Sequence, residues 1–163
     1  MNPPDPSRPE VRLVAAATAR RLSFAVAESC TGGLIAQRVT SVPGASAMFL
    51  GGVVCYANAV KRDLLGVSQE VLDREGAVSM ACAEALAAGV RARLGADIAV
   101  SVTGVAGPGG GTPDKPVGLV CFGVASLTRV RAEKHFFKGD RENVRRQAAD
   151  HALALALSEI DQI

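Results

Sequence analysis

Short apolar segments alternate along this chain with longer stretches of helical periodicity, and this alternation restricts its possible folds more than any other feature. The apolar segments span residues 23–27, 49–56, 97–103, 117–126 and 130–137. Most of them are apolar at nearly every position, which is typical of strands covered by helices on both faces. The last two are close enough to form a hairpin. The pattern predicts an α/β fold, with three α/β/α layers around a mixed, mostly parallel central sheet of about five strands.

Capping residues predict where several helices begin. Ser7 and Glu10 have the spacing of a capping box, so the first helix is expected to begin there and extend to Leu22. Ser79 is expected to cap an Ala-rich helix, and Asp140 the closing helix.

The length of 163 residues suits one domain. We expect residues 1–8, which are rich in proline, to form a flexible lead-in and residues 9–163 to form a single domain. The first residues lack the basic cluster and apolar stretch of a signal peptide, and no apolar run approaches the roughly 20 residues of a membrane span. A cytoplasmic protein without membrane association is therefore expected.

Composition and motifs argue against several functional classes. With a net charge of +2, one Tyr and no Trp, the chain has little with which to bind nucleic acid. Its four cysteines form no CxxC pair, which predicts neither a zinc site nor a disulfide framework. His135 and His151 lie outside any HExxH motif, and no GxSxG motif is present, so neither a metal hydrolase nor a Ser-His-Asp hydrolase is expected.

The turn at residues 28–33 is the first candidate site, because it follows the first strand and precedes a helix predicted to begin at residue 34. Ligands of α/β proteins usually bind at such strand ends. We expect the backbone N–H groups of Thr31, Gly32 and Gly33 to be unpaired and able to bind a phosphate or a developing oxyanion. An ordinary helix start capped by Thr31, with glycines that only allow close packing, fits the spacing equally well.

Two adjacent residues of this turn, Ser29 and Cys30, are alternative nucleophiles. A thiolate is the better nucleophile, and a helix start favours it. Adjacent residues that leave a strand tend to point in opposite directions, so only one of them is expected to face a pocket.

A glycine-rich loop at residues 104–113 follows the third strand, with Thr103 where the loop begins. It matches neither the P-loop nor a complete GxGxxG motif, so it predicts no ATP or dinucleotide site. Such a loop can be a mobile connection only. Because a second glycine turn follows another strand of the sheet, a phosphate pocket shared by the two is favoured.

Three charged side chains could complete the pocket. Lys61 follows the second strand and Tyr56. A lysine acts as a base only where burial removes its charge. The alternative, a solvated surface lysine, is the commoner case. Arg141 and Arg145 are four residues apart, so they share a helical face that could bind an anion, or they form a solvated basic face.

Several blocks, in order along the chain, together resemble the CinA C-terminal domain family. They are residues 27–33, 42–46, 51–58, Lys61, 64–67, 76–79, 103–108 and 110–118. The resemblance to the standalone, PncC-type members implies hydrolysis of the carboxamide of nicotinamide mononucleotide, without a metal or organic cofactor. It also implies that Ser29 is the nucleophile, that Lys61 takes its proton and that Tyr56 supplies a supporting hydroxyl.

The expected ligand is therefore a pyridine nucleotide. The residues expected to bind it are Thr31, Gly32, Gly33, Ser46, Asn58, Thr103, Gly104, Gly107, Arg141 and Arg145. One departure is clear: Ala57 stands where the family usually has serine between tyrosine and asparagine, so any contact that this hydroxyl makes is absent here. The resemblance also favours a homo-oligomer, dimeric or higher. The alternative is a non-catalytic module that binds nucleotides or proteins in competence or damage responses.

Overall fold

The computed structural model describes residues 5–163; residues 1–4, half of the predicted lead-in, lie outside the described part. The helices are α1 Pro9–Arg20, α2 Leu34–Thr40, α3 Asn58–Leu65, α4 Gln69–Arg74, α5 Met80–Leu94 and α6 Arg141–Asp161. The strands are β1 Phe24–Glu28, β2 Phe49–Val54, β3 Ile98–Gly104, β4 Leu119–Ala125 and β5 Val130–Phe136. A 3-10 turn at Ala45–Ala47 precedes β2.

The strands form one sheet in the order β2-β1-β3-β4-β5. β1 pairs in parallel with both β2 and β3, whereas β4 is antiparallel to β3 and β5. Only β4 therefore runs against the other strands, and the prediction of a mixed, mostly parallel sheet is confirmed. The carboxyl ends of β1, β2 and β3 consequently meet at one edge of the sheet.

Helices cover both faces of the sheet, as the continuous apolar strands predict. One core lies between the sheet and α1, α2 and α6, and it contains Val26 and Val100. The other lies beneath α3, α4 and α5, and it contains Ala25 and Ala99. Neighbouring residues of β1 and β3 thus enter opposite cores, which is why neither strand shows an alternation of polar and apolar side chains.

Helix starts agree with the sequence at two places and differ at a third. Ser79 and Asp140 each accept a hydrogen bond from the backbone N–H three residues later, at 3.1 and 2.9 Å, so these two predicted caps are confirmed. The predicted capping box is wrong: α1 begins at Pro9, and no side chain caps it. Glu10 is instead fully buried, with its Oε2 2.7 Å from Arg38 of α2, because an ion pair between the two helices takes the carboxylate.

No helix within residues 5–163 has both the length and the apolar character that crossing a bilayer requires.

Candidate active site

A cleft of about 320 Å³ opens at the edge of the sheet where β1, β2 and β3 end. The turn after β1, the segment after β2 and the glycine-rich loop after β3 all contribute to its walls, together with the start of α6. The residues that line it are Ser29, Cys30, Tyr56, Asn58, Lys61, Ala77, Val78, Thr103, Gly104, Val105, Ala106, Gly107, Gly109, Gly110 and Arg141. The turn after β1 and the glycine-rich loop therefore border one pocket, to which the first turn contributes Ser29 and Cys30 but not its glycines.

Lys61 lies at the bottom of this cleft, where its side chain is 1% exposed. Its Nζ is 3.0 Å from Ser29 Oγ and donates hydrogen bonds to the carbonyl oxygens of Cys55, at 2.6 Å, and Tyr56, at 3.1 Å. The three oxygens hold Nζ in place, and the contact with Ser29 Oγ brings the amine within the distance at which a general base can take a hydroxyl proton.

The local structure explains why Lys61 reaches this position. The chain leaves β2, turns at residues 55–57 and enters α3, so the first turn of the helix lies beside the strand end. Lys61 and Leu65 are four residues apart and occupy the buried face of α3. Gly66, with φ +73°, ends the helix in the left-handed conformation.

The N-terminus of α2 is filled by a carboxylate from the protein itself. Glu28 is buried, and its Oε2 accepts hydrogen bonds from the backbone N–H groups of Gly33 and Ile35, both at 3.1 Å. Its Oε1 accepts one from Ala36 at 2.8 Å. A buried carboxylate is stabilised at this positive end of a helix. The N–H of Gly33 is therefore not free to bind a phosphate or an oxyanion, and this expectation is corrected.

Gly32 is also unavailable, because its N–H donates to the carbonyl of Ser29 at 3.0 Å. The alternative of a Thr31 cap is wrong too: the Thr31 hydroxyl is buried and makes no hydrogen bond within the described chain. Among the hydrogen bonds of residues 5–163, the N–H groups of Cys30 and Thr31 have no acceptor. Of these two residues only Cys30 lines the cleft, since Thr31 is fully buried.

The structure distinguishes the two candidate nucleophiles. Burial raises the pKa of the Cys30 thiol to about 12, so the side chain is a neutral thiol at neutral pH. The helix start that was expected to favour the thiolate is occupied by Glu28. Ser29, in contrast, has the Lys61 amine within hydrogen-bonding distance. The geometry favours Ser29.

Arg141, the first residue of α6, connects two walls of the cleft. Its Nη1 donates to the carbonyl of Gly107 at 2.8 Å, and its Nη2 donates to the Tyr56 hydroxyl at 3.2 Å. Tyr56 thus contacts Lys61 through its carbonyl and Arg141 through its side chain. Thr103 is buried at the cleft and donates its hydroxyl hydrogen to the carbonyl of Ala77.

Five of the residues expected to bind substrate do not line the cleft: Thr31, Gly32 and Gly33 of the turn after β1, Ser46 and Arg145. Arg145 donates to the carbonyl oxygens of Cys30, at 3.1 Å, and Thr31, at 2.9 Å, so it supports the turn from outside the pocket. Ser46 is exposed in the 3-10 turn that precedes β2, at the opposite edge of the sheet. The prediction that Ser46 binds substrate is therefore wrong for the cleft of its own chain.

Sequence reasoning missed the contribution of Glu28 and of the carbonyl oxygens that receive the Lys61 amine. The signal for Glu28 was present, since an acidic residue just before a helix start is stabilised there. No side-chain pattern indicates the carbonyls, because their position follows from the path of the backbone after β2.

Comparisons with known proteins show which proteins this chain is similar to. The family model described as the CinA C-terminal domain matches residues 7–160. A putative competence-damage inducible protein of Moorella thermoacetica is 53% identical over 137 residues, which cover 84% of this chain and 33% of that protein. A CinA-like protein of Syntrophotalea carbinolica is 50% identical over 132 residues, covering 81% and 32%. The chain spans about a third of the length of these relatives.

Solved structures of similar proteins share the fold over nearly their whole length. A CinA superfamily protein from Klebsiella pneumoniae has a TM-score of 0.91 and 34% identity, covering 95% of this chain and 97% of the other. The competence/damage inducible protein CihA from Agrobacterium tumefaciens has a TM-score of 0.90 and 39% identity, covering 94% and 93%.

Proposed function

The chain belongs to the CinA C-terminal domain family, and on that premise we propose that it hydrolyses the carboxamide of nicotinamide mononucleotide to nicotinic acid mononucleotide and ammonia. The observation that carries the proposal is the 3.0 Å distance between Lys61 Nζ and Ser29 Oγ inside the cleft. An amine held this close to a serine hydroxyl supports acyl transfer by a Ser-Lys pair.

In the first half of the reaction, uncharged Lys61 takes the hydroxyl proton as Ser29 Oγ attacks the carboxamide carbon. The carbonyl oxygen becomes negative, and the N–H of Cys30 is the donor that the turn offers at the cleft. One such donor contributes about 3–4 kcal/mol to transition-state stabilisation. When the C–N bond breaks, the proton on Lys61 passes to the leaving nitrogen, and ammonia departs.

In the second half, a water molecule attacks the ester carbon of the acyl-enzyme. Lys61 takes a proton from this water and returns it to Ser29 Oγ as the ester bond breaks, which releases the carboxylate product and restores the enzyme. The positive pyridinium ring of the substrate favours both the uncharged amine and the developing serine alkoxide, so the substrate assists its own hydrolysis.

The rest of the cleft supports binding of the nucleotide. Its volume of about 320 Å³ is at the lower end of the range for small-molecule sites. We place the phosphate between Arg141 and the glycine-rich loop, since the guanidinium is the one cationic group of the lining besides Lys61. Asn58, Thr103, Gly104 and Gly107 line the cleft and remain binding residues of the proposal.

The decisive experiment measures ammonia release from nicotinamide mononucleotide by the wild-type protein and three variants. Ser29→Ala and Lys61→Gln should each lower kcat/KM by at least about 10³-fold, because the two side chains act as a unit. Cys30→Ala should retain activity within a few-fold and serves as the matched control from the same turn. Circular dichroism of each variant establishes that it folds.

Two outcomes would contradict the proposal. Loss of activity in Cys30→Ala alone would transfer the nucleophile to the thiol. If the wild-type protein bound the mononucleotide but released no ammonia, the alternative of a non-catalytic module would be favoured. The name of one relative, putative competence-damage inducible protein, is consistent with such a module.

A further inference from the structure

Both histidines of the chain meet at one carboxylate, away from the cleft lining. Glu133 and His135 are two residues apart on β5, so they share a face of the strand, and His151 reaches the same point from α6. Glu133 Oε1 lies 2.8 Å from His135 Nε2 and 2.6 Å from His151 Nε2. The three side chains have ligand atoms within 4.8 Å of one another.

The surroundings hold these side chains in orientation. The His151 ring packs on Phe122 with ring centroids 4.6 Å apart, and the His135 ring is stacked on Phe137 at 6.0 Å. Arg131 Nη1 lies 3.4 Å from the second oxygen of Glu133, where it acts on the carboxylate from outside the cluster. His135 is 41% exposed, which leaves a path from solvent to the three ligand atoms.

Two imidazole nitrogens and one carboxylate oxygen form a donor set typical of zinc sites that keep an open position. Zinc binds such ligands at about 2.0–2.1 Å in tetrahedral geometry, which places the ligand atoms about 3.3 Å apart. The present distances of 2.6 and 2.8 Å would therefore have to open by less than about 1 Å. With hydrogen on each Nε2, both rings can donate to Glu133 Oε1, so these polar atoms also have partners without a metal ion.

We propose that Glu133, His135 and His151 bind a divalent transition-metal ion of the Zn²⁺ class, with water in the open position. The bound ion links the edge strand β5 to α6, and α6 begins with Arg141 at the cleft. The site is separate from the Ser29 and Lys61 pair and takes no part in the proposed hydrolysis.

The test is calorimetric titration of tag-free, chelator-treated protein with ZnCl₂, with MgCl₂ in parallel. We expect one zinc ion per chain, a zinc-dependent rise in melting temperature and no magnesium binding. His135→Gln and His151→Gln should each weaken zinc binding by more than about tenfold. Glu142→Gln, which removes an exposed carboxylate from the same helix, should bind zinc like the wild type.

Substitution by Co²⁺ identifies the ligands independently. Tetrahedral nitrogen and oxygen ligation gives visible absorption without the near-ultraviolet charge-transfer band of cobalt thiolates, whereas that band would assign the metal to the cysteines and overturn the proposal. The proposal would also be overturned if the wild-type protein bound no zinc, or if His135→Gln bound zinc as tightly as the wild type does. His135 is the less buried histidine, so its variant remains decisive even where His151→Gln fails to fold.

Discussion

Arg141 is the residue on which the assignment of the phosphate site depends. It contacts the Gly107 carbonyl and the Tyr56 hydroxyl, and its remaining N–H groups are available to an anion in the cleft. Arg141→Gln should raise KM for nicotinamide mononucleotide by about 10-fold or more, since hydrogen bonds to charged groups contribute about 1.5–3 kcal/mol. Steady-state kinetics with the mononucleotide measure this effect.

The riboside of nicotinamide, which lacks the phosphate, provides the comparison for the Arg141 prediction. Its kinetics should be nearly the same in Arg141→Gln and in the wild type. Arg146→Gln, an exposed position on the same helix, should change neither substrate's KM. An equal loss on both substrates in Arg141→Gln would mean that this side chain shapes the loop and does not bind phosphate.

At the scale of single residues, the sequence predicts which residues lie close together when they follow strands whose ends meet. Ser29, Lys61 and Arg141 belong to segments that α/β topology brings to one edge of the sheet, and the structure has all three in one cleft. Contacts with backbone atoms are different: no spacing indicates that the carbonyl oxygens of Cys55 and Tyr56 receive the Lys61 amine. A matching sequence block such as that around Ser46 identifies a relationship between proteins, not a position in the fold.

At the scale of secondary structure, α3 carries the proposed base and begins without a side-chain cap. Ala57 is its N-cap residue and has the extended backbone of a capping position, with φ −82° and ψ 148°. A serine here, which the resemblance to the CinA C-terminal domain family implies, would supply a hydroxyl that can accept from N–H groups of the first turn of α3.

Ala57→Ser should therefore raise the free energy of unfolding by about 1 kcal/mol, the usual contribution of such a cap. Urea unfolding measures the change. The matched control is Ser79→Ala, which removes an observed cap from α5 and should lower stability by a similar amount. A large rise in kcat/KM in Ala57→Ser without a change in stability would show instead that the serine hydroxyl contacts substrate.

Helices with clear caps and long periodic segments could be predicted, whereas the shortest α-helix could not. α5 and α6 have 15 and 21 residues and begin at the predicted caps. α4 has only six residues and was missed, although Ser68 caps it by accepting from the N–H of Val71. So short a helix depends on packing against the rest of the fold, because few of its hydrogen bonds lie within its own length.

At the scale of the whole molecule, α6 crosses the fold from the cleft to the loop between β4 and β5. Near its end, Glu159 is 1% exposed and pairs with Arg129 of that loop through two hydrogen bonds of 2.9 and 2.7 Å. These bonds, with smaller contributions from charge, hold the pKa of Glu159 below its ordinary value of 4.5. The pair therefore fastens the C-terminal part of α6 to the sheet at the edge opposite the cleft.

Because the folded-state pKa of Glu159 is lowered, the stability that this pair contributes is fully present above the ordinary carboxyl pKa and is lost as pH falls through the lower folded value. Glu159→Gln should lower the free energy of unfolding at neutral pH by about 1–3 kcal/mol. The loss stays within this range because the Arg129 side chain is 40% exposed, so that water can solvate its charge. The variant should lose less further stability than the wild type on acidification. Urea unfolding at neutral and acidic pH measures both effects.

Glu70→Gln is the control for this prediction. The side chains of Glu70 and its partner Arg74 are 73% and 72% exposed, so the loss of this pair should lower the free energy of unfolding by less than about 0.5 kcal/mol. An acid dependence identical in Glu159→Gln and the wild type would show that this carboxylate does not link protonation to the stability of the fold.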